Sequence, residues 1–352
     1  MHAWRGITEE YRKFLPILPH TPIVTMLEGN TPLIPSKYLY KMIGPKIKLY
    51  FKYEGLNPTG SFKDRGMCFA VTQAVNEGSK AIICASTGNT SASAAAYAAQ
   101  AGIQCFVLVP RDGIALGKLA QALVHGAKVL AVKGSFDDAL EIVKKIVQNY
   151  PYTLVNSINP FRLEGQKTAA FEVCDQLGEA PHFHAIPVGN AGNITAYWMG
   201  FKEYQKSGII TRLPKMLGFQ AEGAAPMVKG HKIDHPETIA TAIKIGNPAN
   251  WDKASLAIQE SQGMIDAVSD AEILEAYKML SNKEGIFCEP ASATGLAGLF
   301  KIAKKGFFGS ESAVITCTLT GHGLKDPDRA MTTVPQVIEV LPILEEVLKI
   351  IE

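Results

Sequence analysis

From residue 47 onward the chain alternates short apolar runs with longer helix-like segments, and this alternation limits its fold more than any other feature. The runs at 47–53, 81–85, 105–109, 185–188, 216–221 and 313–318 are strand-length and bounded by turn residues. Between them, helices are expected from residue 62 and over 89–100, 194–204, 271–284 and 291–304. Strand, helix, strand in this order is the pattern of parallel βαβ units, so the predicted class is α/β with open twisted sheets and flanking helices. Turn-rich stretches near 53–58 and 150–160 bracket about one hundred residues, within the usual domain range. The expected division is a large domain of residues 1–55 plus 152–352 and a smaller, mobile α/β domain of residues 56–151, with a cleft between them.

Composition narrows the partners. The 352 residues are 47% hydrophobic and 19% charged, with a net charge of +2. No block of like charges or aromatic-studded basic stripe appears, which argues against nucleic acid and anionic membrane. No apolar run is long enough to span a bilayer and the first residues lack a signal peptide's apolar core, so the expected location is cytoplasmic. Six cysteines, at 68, 84, 105, 174, 288 and 317, form no CxxC pair. They suit reduced, buried thiols better than a disulfide frame, and no metal site is expected.

The candidate chemistry lies where apolar runs end. Lys63, in Gly-Ser-Phe-Lys-Asp-Arg-Gly, opens a helix just after a Pro-Thr-Gly turn, where a lysine amine can hold a carbonyl cofactor as a Schiff base. The turn Ser86-Thr87-Gly88-Asn89-Thr90 can cradle a carboxylate, or serve only as a helix N-cap. Gly189-Asn190-Ala191-Gly192-Asn193 turns from strand to helix with backbone N–H groups that can converge on an anion, and it is neither a dinucleotide fingerprint nor a P-loop. Arg162, after Asn156-Ser157 at the second hinge, can clamp a phosphate bidentately or form a surface ion pair. Lys118 is a weaker candidate of the same kind. His182, His184 and His322 read as packing or turn residues and not as metal ligands.

In this order and at these separations, the motifs at 60–66, 86–90, 189–193 and 320–326 (Thr-Gly-His-Gly-Leu-Lys-Asp) resemble the pyridoxal-phosphate enzymes of fold type II, the tryptophan synthase β-subunit class. Within that class they are most similar to the threonine synthases. Gly-Asn-Thr-Pro-Leu at 29–33, Asn-Ser-Ile-Asn-Pro at 156–160 and Ile-Gly-Asn-Pro at 245–248 extend the likeness over nearly the whole chain. Dehydratases of the class typically carry a four-glycine phosphate loop and cysteine synthases a Gly-Gly-Gly-Thr loop, unlike residues 189–193 here.

The resemblance implies pyridoxal 5′-phosphate as cofactor, with Lys63 as its Schiff-base lysine and Asn89 bonded to the ring hydroxyl. It implies that Gly189, Asn190, Ala191, Gly192 and Asn193 hold the cofactor phosphate and that Thr320 faces the pyridine nitrogen. The implied substrate is O-phospho-L-homoserine, with its carboxylate at Ser86, Thr87, Asn89 and Thr90. Its phosphate would lie near Ser157, Arg162 and Asn190, with Asn156 a further contact. The implied reaction is γ-elimination of phosphate and hydration at Cβ to give L-threonine, by a homodimer. A threonine/serine dehydratase of the same fold is the alternative enzyme, and a retained Lys63 beside an intact phosphate loop argues against a noncatalytic amino-acid sensor.

Overall fold

The structure is a computed structural model that describes residues 3–111, 116–134, 136–332 and 337–351; the Lys118 side chain lies outside the described set. Its strands in chain order are β1 (Leu33–Pro35), β2 (Ile47–Tyr53), β3 (Ala81–Ala85), β4 (Gln104–Pro110), β5 (Lys128–Val132), β6 (Tyr152–Leu154), β7 (Phe183–Pro187), β8 (Lys215–Ala221), β9 (Met264–Val268) and β10 (Ala313–Leu319). They form two sheets. The larger runs β1-β2-β10-β7-β8-β9 and is parallel except where β1 pairs with β2. The smaller runs β5-β4-β3-β6 and is wholly parallel. Helices cover the sheets, so inner strands are apolar on both faces: all five residues of β3 are buried.

Each strand run read from the sequence is present, with ends displaced by at most two residues. One helix departs from expectation. A capping box of Ser269 and Glu272 opens the helix Asp270–Met279, but the backbone then widens into a π-helical turn over Leu280–Glu284 and stops at Gly285, which has φ 71°.

Two features bring the candidate turns together. The helices Lys63–Asn76 and Pro160–Leu177 touch through glycines: a Cβ on Gly165 would overlap the Arg65 carbonyl, and one on Gly66 would lie 2.7 Å from Arg162 Nε. Only glycine lets these backbones approach so closely, and the approach brings the Lys63 and Arg162 turns side by side. Beneath them is a buried ion cluster. Arg65 donates to Glu54 at 2.6 and 2.8 Å and to Glu172 at 2.6 and 2.8 Å, while Lys52 donates to Glu172 at 2.7 Å. Charges so far from water persist only because each is paired, and the pairing locks β2 to both helices.

Candidate active site

Four turns meet at the carboxyl ends of parallel strands. Lys63 follows β2, residues 86–90 follow β3, residues 189–193 follow β7, and Thr320 follows β10. Open α/β sheets bind ligands at that end. Backbone bonds fix two of the turns together: Phe62 N donates to Thr320 O at 2.9 Å and His322 N to Gly60 O at 2.9 Å.

Lys63 is the first residue of its helix and is half-buried. The next residue, Asp64, accepts from Thr59 N (2.7 Å), Thr59 Oγ1 (2.6 Å) and Ser93 Oγ (2.6 Å), which fastens the Pro-Thr-Gly turn to the helix Asn89–Ala101. Burial, reinforced by the positive charge of Arg162 and opposed by Glu289, lowers the Lys63 ammonium to about 7. An amine in that range is partly neutral near physiological pH and therefore nucleophilic.

The 189–193 loop opens the 15-residue helix Gly192–Lys206. Ala191 sits in the left-handed region at φ 61°, an uncommon geometry for a residue with a Cβ, which turns the chain sharply at the helix N-terminus. Asn193 Nδ2 is buried without a hydrogen-bond partner. An orphaned donor at the positive end of a long helix suits an anion.

Arg162 is 1% exposed, yet its guanidinium is spent only on the Val155 carbonyl (2.7 Å), leaving Nε and Nη2 without partners. Burial holds its basicity down, to about 10. Unpaired donors on a buried cation are costly, which is the state expected of a group that receives a ligand anion. The structure thus brings Arg162 into the protein beside Lys63 and away from any surface ion pair.

Asn156 supports the 86–90 turn from behind: its Oδ1 accepts from Ala85 N at 2.9 Å and its Nδ2 donates to Ala85 O at 2.8 Å. Ser86, Thr87 and Thr90 are half-buried, and Ser86 Oγ accepts from Gly88 N at 3.2 Å. Asn190 and Ser157 are tied together by a residue that sequence reading missed. Asn250 Nδ2 donates to the Ser157 carbonyl (3.3 Å) and to the Asn190 carbonyl (3.4 Å).

Glu289 is the larger omission. Its buried carboxylate accepts from Asn89 Nδ2 at 3.1 Å and from Thr320 Oγ1 at 3.2 Å, and Thr320 Oγ1 also pairs with Ser292 Oγ at 2.9 Å. Burial raises the Glu289 carboxyl, against the lowering effect of those bonds. A single acid in Cys288-Glu289-Pro290 carries no periodic signal; the one clue was a proline at the first position of a helix, which makes the preceding acid its N-cap. His184 is buried, held between Thr316 and Thr318 hydroxyls, and its imidazolium is lowered to about 3 by burial. No cluster suited to a metal ion is present among the described residues.

The family described as pyridoxal-phosphate-dependent enzymes matches residues 24–321 of this chain. The chain belongs to that family. Among its relatives, a threonine synthase from Synechocystis sp. is 60% identical over 328 residues, 93% of this chain and 85% of the relative. A threonine synthase from Halalkalibacterium halodurans is 60% identical over 343 residues, covering 97% of this chain and 96% of the relative. The fold is similar to that of a cysteine synthase from Entamoeba histolytica, with a TM-score of 0.76, 20% identity and coverage of 92% and 95% of the two chains.

The pyridoxal-phosphate-dependent enzyme family implies a cofactor with an aldehyde, a phosphate and a pyridine ring, and the residues present fit all three. Lys63 offers a partly neutral amine, the 189–193 helix N-terminus offers an orphaned donor, and Asn89 and Thr320, both bonded to Glu289, offer an amide and a hydroxyl.

Proposed function

We infer that this chain converts O-phospho-L-homoserine and water to L-threonine and phosphate. The observation that carries this reading is identity of 60% to named threonine synthases over more than nine-tenths of the chain. Two sets of unpaired buried donors support it: Asn193 Nδ2 in the 189–193 loop suits a cofactor phosphate, and Arg162 Nε and Nη2 suit a second phosphate.

In this reading Lys63 is the attachment point for pyridoxal phosphate, Asn89 donates to the ring hydroxyl, Gly189 to Asn193 hold the phosphate, and Thr320 faces the ring nitrogen. When bound, pyridoxal phosphate supplies an electron sink for the negative charge left at Cα. A hydroxyl at the ring nitrogen, unlike a carboxylate, does not favour its protonation. Ser86, Thr87, Asn89 and Thr90 receive the substrate carboxylate, and Asn156 keeps their turn in place through Ala85. Ser157, Arg162 and Asn190 receive the substrate phosphate, and Asn250 sets the spacing of the first and last.

The Lys63 amine then removes the Cα proton and the Cβ proton; phosphate leaves from Cγ, Cγ gains a proton, water adds at Cβ, and the Cα proton returns. One amine near pH 7 serves both giving and taking, because neither form is scarce. The smaller sheet β5-β4-β3-β6 moves toward the larger one as substrate binds, with its boundary beyond β6 (Tyr152–Leu154) instead of at residue 151, since the carboxylate turn and the Asn190 loop belong to different sheets. Closure excludes water until phosphate has left. The enzyme acts as a cytoplasmic homodimer in this reading, and six buried free thiols suit a reducing compartment. Incubation with O-phospho-L-homoserine tests the function: threonine should accumulate, and accumulation of 2-oxobutyrate in its place would favour a dehydratase.

A further inference from the structure

We propose that residues 337–351 form an arm exchanged between two copies of this chain, each arm laying its apolar face in a lysine-rimmed groove beside β2 of the other. The arm is apolar and open: Val337 is 91% exposed, Leu344 68% and Ile351 70%. In its helix Leu344–Ile351, the residues Leu344, Val347, Leu348 and Ile351 fall on one face at i, i+3, i+4 and i+7, and none is buried. A helix of two turns does not hold itself together in water, so it needs a surface to lie on.

The groove offers one. It encloses about 630 Å³ and is lined by Tyr40, Pro45, Lys46, Lys48 and half-buried Tyr50, with Ile47 and Leu49 already buried in the core beneath it. Exposed Tyr38 and Met42 continue the apolar strip, with the Lys37 and Lys41 ammonium groups 5.1 and 6.0 Å from the Tyr38 and Tyr40 ring centres. The acid at this edge, Glu284, is already bonded to the Ser36 hydroxyl and the amides of residues 37–39. The arm carries Glu339, Glu345 and Glu346 against Lys349 alone. Acidic apolar arm and lysine-lined groove are complementary in charge, and the arm's apolar face and the exposed Tyr38 and Met42 are left open within one chain. A two-fold exchange covers both arms and both grooves with one repeated contact. The same negative charge makes an anionic lipid surface a poor alternative.

The test uses the full chain. Two differently tagged copies are co-expressed, one carrying Leu344→Cys and the other Lys48→Cys; the native thiols are buried and do not compete. Mild oxidation should join the two tags. Ending the chain before Val337 should raise the dimer's dissociation constant at least roughly tenfold, a modest allowance for several apolar side chains. Glu345→Lys with Glu346→Lys should weaken the dimer, and Lys46→Glu with Lys48→Glu should restore it. A disulfide that forms only when both cysteines share one chain overturns the proposal, because the arm then folds back on its own groove. So does a dimer unaffected by loss of the arm, or a full chain that stays monomeric.

Discussion

The Asn89 carboxamide donates to the Glu289 carboxylate at 3.1 Å, joining the turn after β3 in the smaller sheet to the start of a helix packed on the larger one. Thr320 bonds to the same carboxylate, so one buried acid orients both groups assigned to the cofactor ring. Glu289→Ala should therefore weaken pyridoxal-phosphate binding by roughly 1 to 3 kcal/mol, the cost of leaving buried donors unpaired, with Glu289→Gln milder. Titrating the cofactor's absorbance into the apoprotein measures this, and unchanged affinity in the alanine variant would show that Asn89 and Thr320 are held by other means.

Lys63→Ala should leave the fold intact and bring threonine formation below about a hundredth of the native rate, since it removes both the attachment amine and the proton carrier. The lowered basicity adds a sharper expectation. An ammonium lowered to about 7 is neutral above that pH, so the rate at which apoprotein captures pyridoxal phosphate should climb through pH 7 and level off. A rate still climbing steeply above pH 9 would mean that the amine is not depressed.

Arg162→Ala should raise KM for O-phospho-L-homoserine far more than it affects cofactor retention, because Nε and Nη2 are assigned to the substrate phosphate. Losing a charge-assisted contact costs about 1.5 to 3 kcal/mol. Removing the positive charge should also make Lys63 more basic and move the acid limb of the activity profile to higher pH. A variant that sheds its cofactor while keeping substrate affinity would reverse the assignment of the two phosphate positions.

Glu172 links stability to acid. Despite its burial, Arg65 and Lys52 hold its carboxyl down to about 2, below its ordinary 4.5. A carboxylate depressed in the folded state stabilises fully above its unfolded value and loses that contribution as pH falls through the folded one. The melting temperature should therefore drop between roughly pH 4.5 and 2. Glu172→Gln should remove this part of the decline while costing about 3 to 5 kcal/mol at neutral pH, where it strands buried cations. A chemical-denaturation series against pH reads both effects.

The strand runs were legible because parallel strands buried on both faces are continuously apolar, as in 81–85, and the turns that follow them were legible from glycine, asparagine and hydroxyl residues at strand ends. The helix Pro160–Leu177 was not. Arg162, Gln166, Lys167 and Glu172 are all buried in it, so polar residues stand on inward faces and the 3.6-residue apolar rhythm disappears. Its start was therefore read only as a hinge. Glu289 and Asn250 escaped for a related reason: each acts through long-range hydrogen bonds to turns far away in the chain, which no local pattern records.

The central claim is elimination of phosphate at Cγ followed by hydration at Cβ, and turnover of O-phospho-L-homoserine in ¹⁸O-labelled water tests it most directly. Breaking the Cγ–O bond sends the ester oxygen away with phosphate, and the new hydroxyl comes from solvent. The expected result is one free phosphate per threonine, with ¹⁸O in the threonine hydroxyl and none transferred to phosphate by the reaction. Solvent oxygen in phosphate with homoserine as product would mean simple P–O hydrolysis, and would contradict the account.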